Sequence, residues 1–305
     1  MPQWCQLICG LVFVLFPHIA SAQDFSPGSD YALTSDSVRL FTKQSGAGPV
    51  CIFIHGGPGA WSRSFEDLGG SNLESRFTMV YYDQRGCGRS EEAKNDDYSL
   101  DRMVADIEAV REKYQTDSVY LMAHSFGGIL AVNYALRHPA HIRGIILVNA
   151  TLNMPYSLQH QVDYMSRVLK TEYKITDTSA LISVFKEAQA DFIKQGLIYK
   201  LLSDNKEHVA LLNEIDSDIP GNFAFAQKAL FISDYLQDFT PLTSRIETPV
   251  LVITGIKDHA IGPEHFRSFR FPNPTIEQIN GGHLLYYEHN KAFINSVFGF
   301  LNRHK

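Results

Sequence analysis

The sequence predicts an α/β fold: a mostly parallel sheet covered by helices on both faces, with a helical cap inserted late in the chain. Two observations carry this. Short, near-continuous apolar runs alternate with longer stretches at helical spacing in the first half of the chain and return near its end. Between them, residues 152–240 show helical patterns and no strand pattern. With 305 residues, 45% of them hydrophobic, the chain can bury a full-sized core.

The strands are read in order at PVCIFIHG (49–56), FTMVYYDQRG (77–86), SVYLMAHS (118–125), IRGIILVNA (142–150), PVLVITG (249–255) and TIEQING (275–281). Most are rich in Val, Ile, Leu and aromatics, and each of the first five closes on a loop former such as Gly, Asp or Asn. YSLDRMVADIEAVREKY (98–114) and GGILAVNYALRHP (127–139) carry apolar residues at helical spacing, the second stopping at Pro139. TSALISVFKEAQADFIKQGLIYKLL (178–202) is the clearest helical stretch of the cap. Strands alternating with helices place ligands at the carboxyl edge of the sheet, and an insertion between two strands would cover that edge. The expected division is therefore a core of 23–151 and 241–305 around a cap of 152–240.

The first 22 residues contain no charged side chain and run from LICGLVFVLF (7–16) to Ala20-Ser21-Ala22. The apolar stretch is shorter than the roughly 20 residues of a membrane span. It fits the h-region of a secretory signal cleaved after Ala22, which predicts a secreted or periplasmic protein without a stable membrane span. Removal of that segment takes two of the four cysteines, leaving Cys51 and Cys87 as expected buried free thiols. The net charge of −6 comes without a basic stripe, which excludes a nucleic-acid surface. No C-x-x-C, H-E-x-x-H or Walker loop occurs, so neither a metal nor another cofactor is expected.

The chemistry centres on LMAHSFGGI (121–129). Ser125 follows a buried strand and precedes a helix opening Gly127-Gly128, which is the context of a nucleophile elbow. Ala123 stands at the first glycine position of that G-x-S-x-G pattern; the site needs smallness there, and alanine adds one methyl group. The same residues also fit a glycine-rich helix start with Ser125 as an ordinary cap. A nucleophilic serine needs a base, an orienting carboxylate and oxyanion donors. TGIKDHAIG (254–262) puts Asp258 after one strand, and GGHLLYYEH (281–289) puts His283 after the last, in the chain order Ser, Asp, His. The backbone N–H of Phe126 and that of Gly57, in HGGPG (55–59), are the candidate oxyanion donors. His55 ends its strand and is read as a loop-holding residue.

HGGPG, DQRGCGRS (83–90), the serine elbow and the late Asp258 and His283 together resemble the α/β-hydrolase family, and more narrowly its proline iminopeptidase-like branch. The resemblance implies a serine hydrolase with Ser125 as nucleophile, His283 as base and Asp258 as orienting acid, acting on a short peptide or other small molecule. It implies that Asp83 and Arg85 brace loops, and that carboxylates of the cap hold the substrate's free amine. Candidates for the latter are Glu187, Asp191, Glu214, Asp216, Asp218 and Asp234. A carboxylesterase or lactonase on the same triad is the alternative, and a non-catalytic ligand-binding protein a more distant one. A serine at the elbow disfavours the dehalogenase and epoxide hydrolase relatives, which carry a carboxylate there.

Overall fold

The computed structural model describes residues 28–177, 180–218 and 222–304. The signal-like segment and its expected cleavage after Ala22 lie outside the described residues. Among the described residues eight strands form one sheet: β1 (Ser29–Leu33), β2 (Arg39–Gly46), β3 (Val50–Ile54), β4 (Thr78–Tyr82), β5 (Val119–His124), β6 (Ile142–Val148), β7 (Val250–Gly255) and β8 (Pro274–Ile279). Their spatial order is β1-β2-β4-β3-β5-β6-β7-β8. All pairs from β4 to β8 run parallel, whereas β1–β2 and β2–β4 are antiparallel. The mostly parallel α/β fold expected from the sequence is the fold of the molecule.

Each apolar strand run is accounted for by burial on both faces. In β3, Cys51 and Phe53 pack into one core layer while Ile52 and Ile54 pack into the other. In β5 every residue is buried, Leu121 and Ala123 facing the layer of Ile52 and Ile54, and Tyr120 and Met122 that of Cys51 and Phe53. Fully burying such a side chain stabilises the fold by about 1.5–3 kcal/mol, so two buried faces select for continuous rather than alternating runs. The edge strand β1 and its neighbour β2 mix exposed and buried residues, so neither forms a continuous apolar run.

The helices are α1 (Arg63–Asp67), α2 (Leu100–Lys113), α3 (Gly127–Arg137), α4 (Met154–Leu169), α5 (Leu181–Lys194), α6 (Lys206–Asp216), α7 (Ala224–Lys228), α8 (Leu285–Glu288) and α9 (Asn290–Arg303). Helix α2 starts where Ser99 accepts a hydrogen bond from the Arg102 N–H, and α3 ends two residues before Pro139. The stretch read as helical over 178–202 contains α5 and then breaks at Gly196, which takes a left-handed φ of 68°.

The helical segment between β6 and β7 sits on the loops at the carboxyl edge. Its two ends are tied together, Phe239 N–H donating to Leu152 C=O at 2.8 Å. Phe225 N–H donates to Gly86 C=O, the Gln161 side chain to Ala260 C=O, and Tyr235 Oη to Tyr98 C=O. These contacts reach the loops after β4 and β7 and the turn leading into α2. No described helix is long and apolar enough to cross a membrane.

Candidate active site

β3 and β5 are neighbours at the point where the strand order reverses, so the loops leaving them face each other at the carboxyl edge. Ser125 is the turn between β5 and α3, and its φ of 56° lies in the left-handed region. A non-glycine residue there carries roughly 1–2 kcal/mol of strain. Surrounding bonds hold it: Ser125 N–H donates to Val148 C=O, and its own carbonyl accepts from Gly128 and Thr151 N–H. The two small positions of the elbow do different jobs. A methyl on Gly127 would collide with the Ile54 carbonyl, so only glycine fits between α3 and β3. Ala123 instead lies within β5, paired with Ile54 and Leu147 at negative φ, where a methyl is accommodated.

Asp258 and His283 meet. His283 Nδ1 lies 3.0 Å from Asp258 Oδ2, both side chains being buried. With the carboxylate ionised, Nδ1 carries the proton and Nε2 is left as an acceptor. The other carboxylate oxygen of Asp258 accepts from the N–H groups of Ala260 and Ile261 at 2.9 and 3.1 Å. His283 is also fixed through its backbone, its N–H donating to Leu202 C=O of the inserted segment at 2.7 Å. The ring of His124, the residue before Ser125, packs against the His283 ring with centroids 4.5 Å apart. Burial, then the neighbouring His283, holds the His124 pKa well below the usual imidazole range, so this ring is neutral. Among the described residues no hydrogen bond joins the Ser125 hydroxyl to His283. Such bonds are often long in unliganded sites and tighten when substrate binds.

The HGGPG loop lies directly on the elbow: a methyl on Gly56 would come 2.7 Å from Ser125 Cβ. Gly57 has a φ of 116°, which favours glycine, and precedes a cis-proline. Among the described residues neither its N–H nor that of Phe126, at the start of α3, is taken by a hydrogen bond. His55 holds the loop as expected from its place in the sequence. Its Nε2 accepts from Gln84 N–H at 2.9 Å, so Nδ1 donates to Gly56 C=O at 2.8 Å. That arrangement needs the neutral ring, and burial lowers the pKa accordingly. Gln84 returns a bond from its side-chain amide to His55 C=O. Asp83 accepts from Ser62 and Arg89, and fully buried Arg85 from DQRGCGRS donates to both Asp36 and Asp106. Cys51 and Cys87 are buried free thiols, their pKa values raised by burial.

Residues 49–290 match the model of the alpha/beta hydrolase fold family. The chain belongs to that family. It is 37% identical over 110 residues to the proline iminopeptidase of Thermoplasma volcanium, a match taking in 35% of this chain but only 36% of the relative. To the proline iminopeptidase of Flavobacterium johnsoniae it is 25% identical over 287 residues, 87% of this chain and 94% of the relative. Among solved structures, the proline iminopeptidase-related protein of Thermus thermophilus superposes with a TM-score of 0.73 at 24% identity, over 90% of this chain and 97% of the other.

Of the six acids in the segment expected to supply an amine-binding group, this alpha/beta hydrolase fold member buries one. Glu187, Asp191, Glu214 and Asp218 are exposed and Asp234 is half-buried. Asp216, at the end of α6, is buried and accepts from Trp61 Nε1 at 2.8 Å and Ser64 Oγ at 2.7 Å. Burial raises its pKa from 3.8 to about 6, against the two neutral donors, and among the described residues no cation pairs with it. Its helical spacing in the sequence does not separate it from its solvated neighbours. One trio of metal-type donors converges among the described residues, Glu108, His138 and His141 within 4.8 Å. It sits at the amino edge of the sheet, and Arg111 and Tyr134 already hold the Glu108 carboxylate.

Proposed function

We propose that the chain is a serine hydrolase that acts through an acyl-enzyme and cleaves the amide bond after a free N-terminal residue of a short peptide, as a proline iminopeptidase does. The observation that carries this reading is the buried Asp258–His283 pair, Nδ1 turned to the carboxylate, beside a serine held in left-handed backbone at the elbow. In the first step Ser125 Oγ attacks the substrate carbonyl while its proton passes to His283 Nε2. Asp258 keeps the imidazole in the required tautomer and balances the imidazolium. The oxyanion is received by the N–H groups of Gly57 and Phe126. Collapse of the tetrahedral intermediate expels the amine, which takes the proton from His283, and water activated by the same ring releases the acyl group.

Asp216 is the proposed amine anchor. A buried carboxylate with no cationic partner gains most from a substrate ammonium, because the ion pair then replaces an uncompensated charge. The helical segment 152–240 serves as the cap that closes this side of the site. The residues before Gln23 act as an export signal, which N-terminal sequencing of the secreted protein from an export-competent host would check.

The test uses the chain from Gln23 with proline p-nitroanilide, its N-blocked form and p-nitrophenyl butyrate. Release from the anilide, abolished by the block, is expected, together with a loss of at least about 10⁴-fold in Ser125→Ala. Ester turnover with a silent anilide would replace the peptidase reading with the esterase one. Turnover that survives Ser125→Ala would remove the serine mechanism.

A further inference from the structure

The two loops that carry Asp258 and His283 are joined by a side chain that belongs to neither. Asn149 is the first residue beyond β6, between β5 and β7 in the sheet. It is buried, with a left-handed φ of 44°. Its backbone N–H donates to Ile253 C=O at 2.9 Å, and its side-chain Oδ1 accepts from Gly255 N–H at 2.7 Å. On the other side, Nδ2 donates to Gly282 C=O at 2.9 Å and to His283 C=O at 3.1 Å. Two carbonyls require the NH₂ end and one N–H requires the oxygen, so the network fixes the orientation of the amide.

We propose that Asn149 is a positioning residue for the hydrolytic reaction: its amide sets the loop of Asp258 against the loop of His283, and the reactivity of Ser125 depends on it. This rests on the serine-hydrolase reading above. Gly255 connects to Asp258 through the turn bond from Asp258 N–H to Gly255 C=O at 3.1 Å. There is no slack between the loops, since a methyl on Gly255 would come 2.5 Å from Gly281 C=O and 2.7 Å from Gly282 C=O. The His283 carbonyl that Asn149 grips also receives His124 Nε2 at 3.2 Å. With its N–H on Leu202, the histidine backbone is held at both ends, so the amide decides where the ring starts. An aspartate in this position keeps the shape and the bond from Gly255 but offers no donor to the two carbonyls unless it is protonated. A glycine keeps the left-handed backbone and removes the amide.

The experiment is the second-order rate of covalent labelling of Ser125 by a fluorophosphonate, with Ser125→Ala as blank, in the parent chain, Asn149→Gly and Asn149→Asp across pH. It reads the nucleophile without assuming a substrate. Asn149→Gly is expected to label about 10²-fold more slowly, as displacement of reacting groups by about 1 Å can cost that much. Asn149→Asp is expected to approach the parent rate only toward acid pH, where its carboxyl regains a proton to donate. The histidine-bound proton facing Asp258 is expected far downfield in the NMR spectrum of the parent and should shift or broaden in both variants. A folded Asn149→Gly that labels within about threefold of the parent overturns the proposal, whatever its melting temperature. Should that variant not fold, a parent-like pH profile in Asn149→Asp overturns it instead. A parent that is not labelled at Ser125 overturns the reading of the site and the proposal with it. A labelled parent with equally reactive variants overturns only the proposal.

Discussion

Asp83 and Asp216 are buried carboxylates bonded to the same short stretch, 61–64, at the start of α1, and their pKa values are shifted in opposite directions. Asp83 accepts from Ser62 N–H and Oγ, and from the backbone and guanidinium of Arg89. Burial alone would raise its pKa, but Arg89 and these donors outweigh it and lower the value to about 2. Asp216 takes bonds from Trp61 and Ser64, both neutral, and burial lifts it to about 6. The first carboxylate is committed to structure, because every interaction that stabilises its charge is internal. The second is charged near neutral pH at a cost to the fold, the condition in which a cationic ligand has most to offer. Asp83 on the core edge is thus held by a cation, while Asp216 in the inserted segment is held among the described residues by neutral donors alone.

Asp83→Asn is expected to break this contrast from the structural side. It leaves Arg89 without its carboxylate and removes the brace of the 61–64 loop, for about 3 kcal/mol of stability by the cost of breaking buried pairs. Turnover of amide and ester substrates should fall together, because the loop carrying Gly57 is attached to the same brace. Urea denaturation and both assays check it. A variant that lost only the amide activity would place Asp83 among substrate-binding groups.

Asp216→Asn tests the other side, and stability and activity should move in opposite directions. The folded pKa lies above the unfolded one, so the folded chain holds the extra proton between them. The favourable contribution is whole below 3.8 and is lost as pH rises through about 6. A shift of that size corresponds to about 3 kcal/mol at neutral pH. The asparagine variant should therefore match the parent near pH 4 and exceed it in melting temperature at pH 7.5. Release from proline p-nitroanilide should fall by about 10²-fold or more, with p-nitrophenyl butyrate little changed. A variant more stable yet equally active on the anilide would leave Asp216 as a buried charge without a substrate role.

The same contrast explains what could be read from the sequence. Strands β3 to β7 are legible because both faces are buried, and Ser125, Asp258 and His283 stand out as candidates because each follows a strand within a short motif. The strand read over 77–86 ends at Tyr82, since Asp83, Gln84 and Arg85 leave the sheet to bind Ser62, His55 and Asp106. β1 and β2 leave no continuous apolar run because most of their residues are exposed or half-buried and the apolar signal is diluted. Asp216 was one acid among six until tertiary packing buried it. Asn149 was visible only as a loop former closing a strand; its three partners are more than a hundred residues away in the chain.

The smallest expected effect belongs to the elbow. Ala123 departs from the glycine of the motif, and Ala123→Gly asks whether that departure is a compromise. In β5 the residue is fully buried between Ile54 and Leu147, with ordinary strand backbone, so glycine removes packed surface and adds unfolded-state freedom. Loss of one methyl group and the glycine entropy term together should cost about 1–2 kcal/mol. The rate of the chemical step should stay within about twofold, because the backbone of Ser125 is set by Val148, Gly128 and Thr151 rather than by residue 123. A gain in stability, or a several-fold rise in kcat, would show that the Ala123 methyl strains the elbow. The core edge would then be less settled than its contrast with Asp216 implies.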